Sequence, residues 1–295
     1  MTMPFIHDTS AHYSCPLCNL QLAAQEKLYR CDNNHCFDLA KENYLNLLPV
    51  QFKHSKNPGD NKAMVNARRS FLEQGYYQPL ADKIVSLYHQ YVPQKLLDEE
   101  SVALPISILD AGCGEGYYTH QHKTANNTVY GVDIAKEAIK KAGKKYQQCH
   151  FSVATLSKLP FAEQQFSWIF SVYAPILEQE FTRVLANGGY ILTVTPAKQH
   201  LMQLKQSIYH EAKEHDEDKL PIEHLTLIHQ ENISYEMNLK RGKDSLNLLS
   251  MTPFAFKASE DVKKILLKTN NFTCQADFLI KIYQKNNFVL NNIQH

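Results

Sequence analysis

The stretch Ile106-Ser107-Ile108-Leu109-Asp110-Ala111-Gly112-Cys113-Gly114-Glu115-Gly116 decides the fold. Its first half is a short apolar run, which reads as a buried strand over 106–110. Its second half puts glycine at 112, 114 and 116, where backbone can approach a ligand with no Cβ in the way. A strand that runs into a glycine loop and then a helix cradles a nucleotide. It is not the dinucleotide fingerprint, because G-x-G-x-x-G needs glycine at 117 and that residue is Tyr117. No Walker lysine follows the loop either, so nothing here is built for a phosphate chain.

Downstream, strands and helices alternate. Strands are expected at 128–133, 150–154, 166–172, 189–195, 233–239 and 272–283, and helices at 117–123, 136–146, 178–184, 200–214 and 259–268. This pattern means an α/β fold, a Rossmann-like, mostly parallel sheet of seven strands with helices on both faces. The second strand ends at Asp133, where a carboxylate can accept hydrogen bonds from ribose hydroxyls. The third ends in Val153-Ala154-Thr155, and the fourth runs into Tyr173-Ala174-Pro175. Arg183–Gly189 reads as a helix closing in a glycine turn.

Upstream, Asp60 or Asn61 can cap a helix carrying Met64, Ala67, Phe71 and Leu72 and stopping at Gly75. A second helix starts near Pro79, with Leu80, Ile84, Leu87, Tyr88 and Tyr91 on one face. Residues 49–61, with two prolines and a glycine, read as a linker or mobile loop.

Four of the seven cysteines fall between 15 and 36, as C-x2-C-x12-C-x3-H over Cys15, Cys18, Cys31 and His35. Two thiolates on a knuckle and two more donors after a short loop fit one tetrahedral, structural zinc. The fourth ligand is open on spacing alone, with His35 preferred, Cys36 adjacent to it, and His7 and His12 upstream. Cys36 is then expected to be a buried neighbour. An odd cysteine count argues against a disulfide framework.

Lys plus Arg is 31 and Asp plus Glu is 30, a net charge of +1. That excludes recognition of nucleic acid by global positive charge, but not by a local patch. Between 41 and 69, six cations (Lys41, Lys53, Lys56, Lys62, Arg68, Arg69) stand against Glu42 and Asp60, leaving +4. This is the expected phosphate-binding region, led by Lys53, Lys56, Arg68 and Arg69, with Tyr44 and Phe52 available for stacking. The lysines at 136–145 read as a solvated helix face. No run approaches a membrane span, and the start MTMPFIHDTS has no signal-type apolar segment, so a cytoplasmic protein is expected.

The spacing D-x-G-x-G-x-G over Asp110–Gly116 resembles the first motif of S-adenosylmethionine-dependent methyltransferases, and Arg183–Gly189 resembles their "RVLKPGG" turn. The likeness goes further. The zinc cluster, "FDLAKENYLNLLPVQ" (37–51), "PGDNKAMVNARRSFLEQGYYQPL" (58–80), "SVYAP" (171–175), "TPAKQHLMQLKQSIY" (195–209) and "MTPFAF" (251–256) together resemble the bacterial 23S rRNA (guanine-N1)-methyltransferases.

The resemblance implies a class I methyltransferase domain over 104–295. A zinc-binding RNA-recognition module over 1–50 and a linker and helical segment over 51–103 precede it. It implies zinc ligands at Cys15, Cys18, Cys31 and His35, and cofactor contacts at Tyr77, Gly114, Glu115 and His200, with Asp133 joining from its strand end. Asp110, Gly112 and Ala154 complete the expected cofactor set. The family's glycine before the tyrosine of "AKEGYxNLL" is Asn43 here, and asparagine tolerates the positive φ such a turn needs. The implied reaction is methyl transfer from S-adenosylmethionine to N1 of a guanine in a hairpin loop of 23S rRNA. A homodimer is the implied assembly.

Tyr173 is the candidate for positioning the base, and no general base is named. Two other readings compete. A quinone-type small-molecule methyltransferase would have no use for the zinc module. A zinc-dependent RNA-binding protein without catalysis would have no need of an intact glycine loop and Asp133.

Overall fold

The computed structural model describes residues 12–52, 59–92, 106–209, 214 and 224–286. Lys53, Lys56, His7 and most of 210–214 therefore lie outside the described residues. Strand β5 (Ile106–Ala111) is buried along its whole length, at the centre of a sheet that covers it on both sides. Its parallel neighbours are β6 (Asn127–Asp133) and β8 (Phe166–Val172). β7 (His150–Val153) extends the sheet beyond β6, and β9 (Leu185–Pro196) extends it beyond β8. The last two strands, β10 (Leu225–Leu239) and β11 (Phe272–Lys285), form an antiparallel hairpin laid against β9. All seven expected strands are present, though β10 begins eight residues earlier than its alternation suggested.

An eighth strand comes from the N-terminal module. There β1 (Ala23–Ala24), β2 (Leu28–Arg30) and β3 (Cys36–Asp38) make a small antiparallel sheet, and β4 (Tyr44–Asn46) leaves it to pair in parallel with β7. The full order is β10-β11-β9-β8-β5-β6-β7-β4. The module is fastened at a second point, where Tyr13 bridges Phe161 with rings stacked at 5.1 Å and Ser14 N–H donates to the Pro160 carbonyl at 2.8 Å. Burial of Tyr13, Leu45 and Leu47 in the apolar layer under the sheet makes this contact part of the core.

The turn into β4 has Asn43 at φ 59°, as the glycine-to-asparagine exchange required. It sits under helix α3 (Lys136–Lys145), whose Gly143 lies so close that an added Cβ would stand 2.3 Å from the Glu42 carbonyl oxygen. Only glycine allows that approach.

Helix α1 (Lys62–Leu72) is capped by Asn61, whose side chain accepts from the N–H groups of Ala63 and Met64. It is followed by α2 (Gln78–Tyr91). α4 (Glu178–Val184) matches its expected bounds. Two expected helices shrink. Residues 117–123 form only a 3-10 turn at Thr119–His122, and α5 spans Met202–Gln206, started by Leu201 at φ 54°. Between β10 and β11 stand α6 (Gly242–Ser250), which the sequence reading missed, a 3-10 turn at Pro253–Phe256, and α7 (Glu260–Lys268). α6 packs on α1, and Tyr76 joins them by donating to Asp244 at 3.0 Å. Among the described residues no helix is long and apolar enough to cross a membrane.

Candidate active site and metal centre

Chain crossovers leave β5 in opposite directions toward β6 and β8, so a crevice opens at the carboxyl ends of these strands. A cavity of about 510 Å³ fills it, within the size range of ligand sites. The loop after β5 forms its floor. Gly112 and Gly114 take φ values of 85° and 55°, which glycine adopts freely. Nothing but the Arg68 guanidinium, at 4.0 Å, stands near the place where a Gly114 Cβ would be, so the loop backbone is open to a ligand.

Asp133, at the end of β6, locks the loop by accepting from Gly114 N–H at 2.9 Å, and it also accepts from Ala135 N–H at 2.7 Å. Each oxygen keeps a lone pair for a ligand hydroxyl. Burial pushes the Asp133 and Glu115 carboxyls above the usual range, and the Arg68 charge opposes that rise in both.

Six expected cofactor residues line this one cavity: Tyr77, Gly112, Gly114, Glu115, Asp133 and His200. Two do not. Asp110 is fully buried and turned under the loop, where it accepts from Thr119 Oγ1 at 2.6 Å. Burial there pushes its carboxyl up to about 8. Its place is in holding the loop to the 3-10 turn. Ala154 is buried beyond β7 and contributes no surface to the cavity. Both side chains are spent on packing rather than on the cavity: Asp110 is held by Thr119 beneath the loop, and Ala154 sits in the apolar layer with Leu159 and Phe161.

Tyr173 lines the same cavity, in the segment that packs on Gly112. It is 44% exposed and has φ 61°, a left-handed conformation that is costly for a bulky side chain. Its Oη lies 2.9 Å from His200 Nε2. The Asp277 backbone N–H donates to His200 Nδ1 at 3.1 Å. A backbone amide always carries its hydrogen, so Nδ1 must accept. The proton of a neutral His200 ring is then on Nε2 and is donated to the Tyr173 oxygen. The Tyr173 O–H is left to donate elsewhere. Met251, Thr252, Pro253 and Phe254 complete the lining from the segment between α6 and α7.

Sequence reasoning did not place these four residues, nor Asp60, Met64, Arg68 and Leu72, in the site. A signal existed for part of this set. Positions 64, 68 and 72 follow one another at helical spacing, so Arg68 lies inside an apolar stripe rather than on an outer face. Arg68 pairs with Asp60 inside the cavity, and Arg69 instead donates from Nε to Glu73 at 3.0 Å. The two arginines assigned jointly to phosphate thus point to different places. Tyr44 is 6% exposed and packed in the core, so it presents no face for stacking. Phe52 lies under Lys158, 5.4 Å from its ring centre.

In the N-terminal module, Cys15, Cys18, Cys31 and His35 offer donor atoms that all lie within 4.8 Å of one another. His35 Nδ1 is 3.5 Å from both Cys15 Sγ and Cys31 Sγ, and Cys18 Sγ is 3.6 Å from Cys31 Sγ. Three thiolates and an imidazole at these separations surround one tetrahedral zinc. Cys36 is not the buried neighbour expected. It is exposed at the start of β3, because alternation turns its side chain away from the cluster, and it accepts from Arg30 Nε at 3.2 Å.

A family model described as "RlmA, N-terminal", a zinc ribbon, matches residues 13–56, and one described as "Methyltransferase domain" matches residues 108–189. A relative from Bacillus subtilis (strain 168) is 28% identical over 284 residues, covering 91% of this chain and 96% of its own. Another, from Micromonospora griseorubida, is 32% identical over 208 residues, 67% of this chain and 70% of its own. Both carry the name "Putative 23S rRNA (guanine-N(1)-)-methyltransferase". A third, the "23S rRNA (guanine(748)-N(1))-methyltransferase" of Streptomyces fradiae, is 26% identical over 255 residues, 84% of this chain and 86% of its own.

Proposed function

Because the chain belongs to the 23S rRNA (guanine-N1)-methyltransferase family, we propose that it transfers a methyl group from S-adenosylmethionine to N1 of a guanine in a hairpin loop of large-subunit rRNA. The observation that carries the reading is one cavity shared by two features. The glycine loop and Asp133 offer a nucleoside-binding surface, and a hydroxyl donor, Tyr173, lines the same cavity from the segment that packs on Gly112.

When bound, S-adenosylmethionine supplies an electrophilic sulfonium methyl, so the protein's work is alignment and exclusion of water. Asp133 holds the ribose diol, Gly112, Gly114 and Glu115 receive the adenosine side, and Tyr77 closes the cavity beneath it. Tyr77 is fixed for this by edge contacts to Phe71 and Phe278, both at 5.1 Å.

The guanine enters against Tyr173, His200 and the Met251–Phe254 wall. Paired in a duplex its N1 would be out of reach, so the base is unpaired or flipped. N1 must lose its proton as the methyl arrives, and the charge left behind is shared with O6. The Tyr173 O–H, whose oxygen is held by His200 Nε2–H, donates to O6 and stabilises that charge. The pair donates and takes up no proton, so the N1 proton leaves by another route.

The zinc has no part in the chemistry. It cross-links the module that presents β4 to the sheet. RNA contact from this side draws on Lys53 and Lys56, which lie outside the described residues, more than on Arg68. A cytoplasmic setting and a homodimer gripping one RNA complete the proposal.

The test is transfer of labelled methyl from S-adenosylmethionine to unmodified large-subunit rRNA, followed by identification of the product nucleoside. The expected product is 1-methylguanosine. Label on another base, or only on a small metabolite, refutes the proposal. Label on a small quinone would favour the competing small-molecule reading.

A further inference from the structure

We propose that the Asp60–Arg68 ion pair is the receptor for the zwitterionic amino-acid end of the cofactor, with Arg68 taking the carboxylate and Asp60 the ammonium. The inference rests on the S-adenosylmethionine reading above and assigns two residues to it.

Several observations converge. Asp60 is free of the task its position suggests, because Asn61 alone caps α1. Arg68 is free of the core, because Val65, Phe71 and Leu72 carry the buried packing of α1. Both charged side chains line the cavity, and they pair with each other there at about a quarter exposure, 26% and 28%. Among the described residues that line the cavity, Arg68 is the one arginine or lysine, against the carboxylates of Asp60, Glu115 and Asp133. Asp133 is occupied by Gly114 N–H and Ala135 N–H and Glu115 is only 5% exposed, so Asp60 is the accessible carboxylate whose partner is a side chain able to turn away.

The cofactor carries a single anionic group, the α-carboxylate, beside an α-ammonium. Among the described residues Arg68 is the one guanidinium that a carboxylate could meet in this cavity, and it stands beside the glycine loop, where Gly114 has no side chain to block it. Cofactor binding exchanges one ion pair for two, and the planar fork of arginine suits a carboxylate bidentately. A phosphate-binding role would need the guanidinium on an outer face, and it is turned inward.

Calorimetry with two probes tests this. S-adenosylhomocysteine has the amino-acid end, and 5′-methylthioadenosine shares the adenosine and sulfur but lacks that end. Arg68→Ala is expected to weaken S-adenosylhomocysteine by about 10- to 100-fold, the worth of a charge-assisted bidentate pair. It should change 5′-methylthioadenosine by less than about 3-fold, and that retained binding shows the variant is folded. Asp60→Asn should weaken S-adenosylhomocysteine selectively too, by a smaller factor.

Equal weakening of both probes by Arg68→Ala overturns the assignment. So does unchanged S-adenosylhomocysteine binding with a flatter salt dependence of RNA affinity, which would hand Arg68 to the RNA. Wild-type protein that binds neither probe overturns the cofactor reading itself.

Discussion

Replacing Gly143 with alanine tests how the N-terminal module is joined to the sheet. In a free helix the change is favourable by about 1 kcal/mol, because alanine has the higher helix propensity. Here the added Cβ would stand 2.3 Å from the Glu42 carbonyl oxygen and 2.7 Å from that of Asn43. Helix and turn must part by roughly 0.7 Å to restore even the tightest contact seen for such atoms, about 3.0 Å. The turn has little room to yield. Asn43 holds φ 59°, its side chain donates to the Gln147 carbonyl at 3.2 Å, and β4 behind it is paired to β7. Overpacking against backbone costs about 1–3 kcal/mol, and the rigid turn argues for the upper end. The net expectation is a destabilisation of about 2 kcal/mol, or a fall in Tm of about 4–8 °C. Thermal unfolding measures the sum, and amide exchange across Tyr44–Asn46 shows where the loss falls. A Tm that rises, as for an ordinary helix glycine, would refute the close approach and the docking it implies.

Three further outcomes are expected. Tyr173→Phe should lower kcat by roughly 10- to 100-fold with the KM for S-adenosylmethionine unchanged, and the defect should shrink at alkaline pH, where N1 loses its proton unaided. A loss independent of pH would make Tyr173 a packing residue. Purified protein should hold one zinc per chain, with His35→Ala lowering the content and Cys36→Ser leaving it intact. The reverse pattern by metal analysis would move the fourth ligand to Cys36. His122 is buried and stacked on Phe170 at 4.2 Å, its Nδ1–H donates to the Tyr118 carbonyl, and burial pushes its pKa down to about 4, helped by the charges of His89 and His120. The unfolded chain takes up that proton near pH 6.5, so stability should fall as pH drops from about 6.5 to about 4, by up to about 1.4 kcal/mol per unit. His122→Phe should flatten that limb in urea midpoints taken across the range, and an unchanged slope would count against a neutral buried histidine.

The parts of this molecule that were legible in the sequence are those where one residue type is forced. The glycine loop, Asp133 at a strand end and the Cys/His spacing each admit few substitutes, so which residues would meet could be read before their positions. Asn43 belongs with them, because a positive φ narrows the choice. Legibility failed where a contact is set by a distant partner. The three residues of β4 look like a continuation of the zinc module, and only their pairing with β7 makes them a sheet edge. The side chain of Asp110 reads as a ligand contact until Thr119 is seen beneath it. The helix expected from 200 begins only at Met202, because Leu201 adopts φ 54° where His200 meets the Asp277 amide. Local preference lost there to the geometry of the site.

The placement of β4 makes the zinc more than a local staple. β7 would otherwise be the sheet's outer strand on that side, with unpaired backbone and Phe151 and Val153 in its core face. Covering it takes a segment of three residues, too few to hold a register by themselves. The register is fixed instead from both ends of the module. Tyr13 is stacked on Phe161 at one end, the Asn43 turn is wedged under Gly143 at the other, and the metal ties the chain between them through Cys15 and His35. A module this small has little core of its own, so its folding depends on the metal and on docking together. The chain that leaves β4 is also the chain that arrives at Asp60 and Arg68. Zinc, sheet edge and the charged Asp60–Arg68 wall of the cavity are therefore joined in one continuous run of sequence. That run gives the zinc module a physical route by which its docking can bear on the cavity at the ends of the central strands.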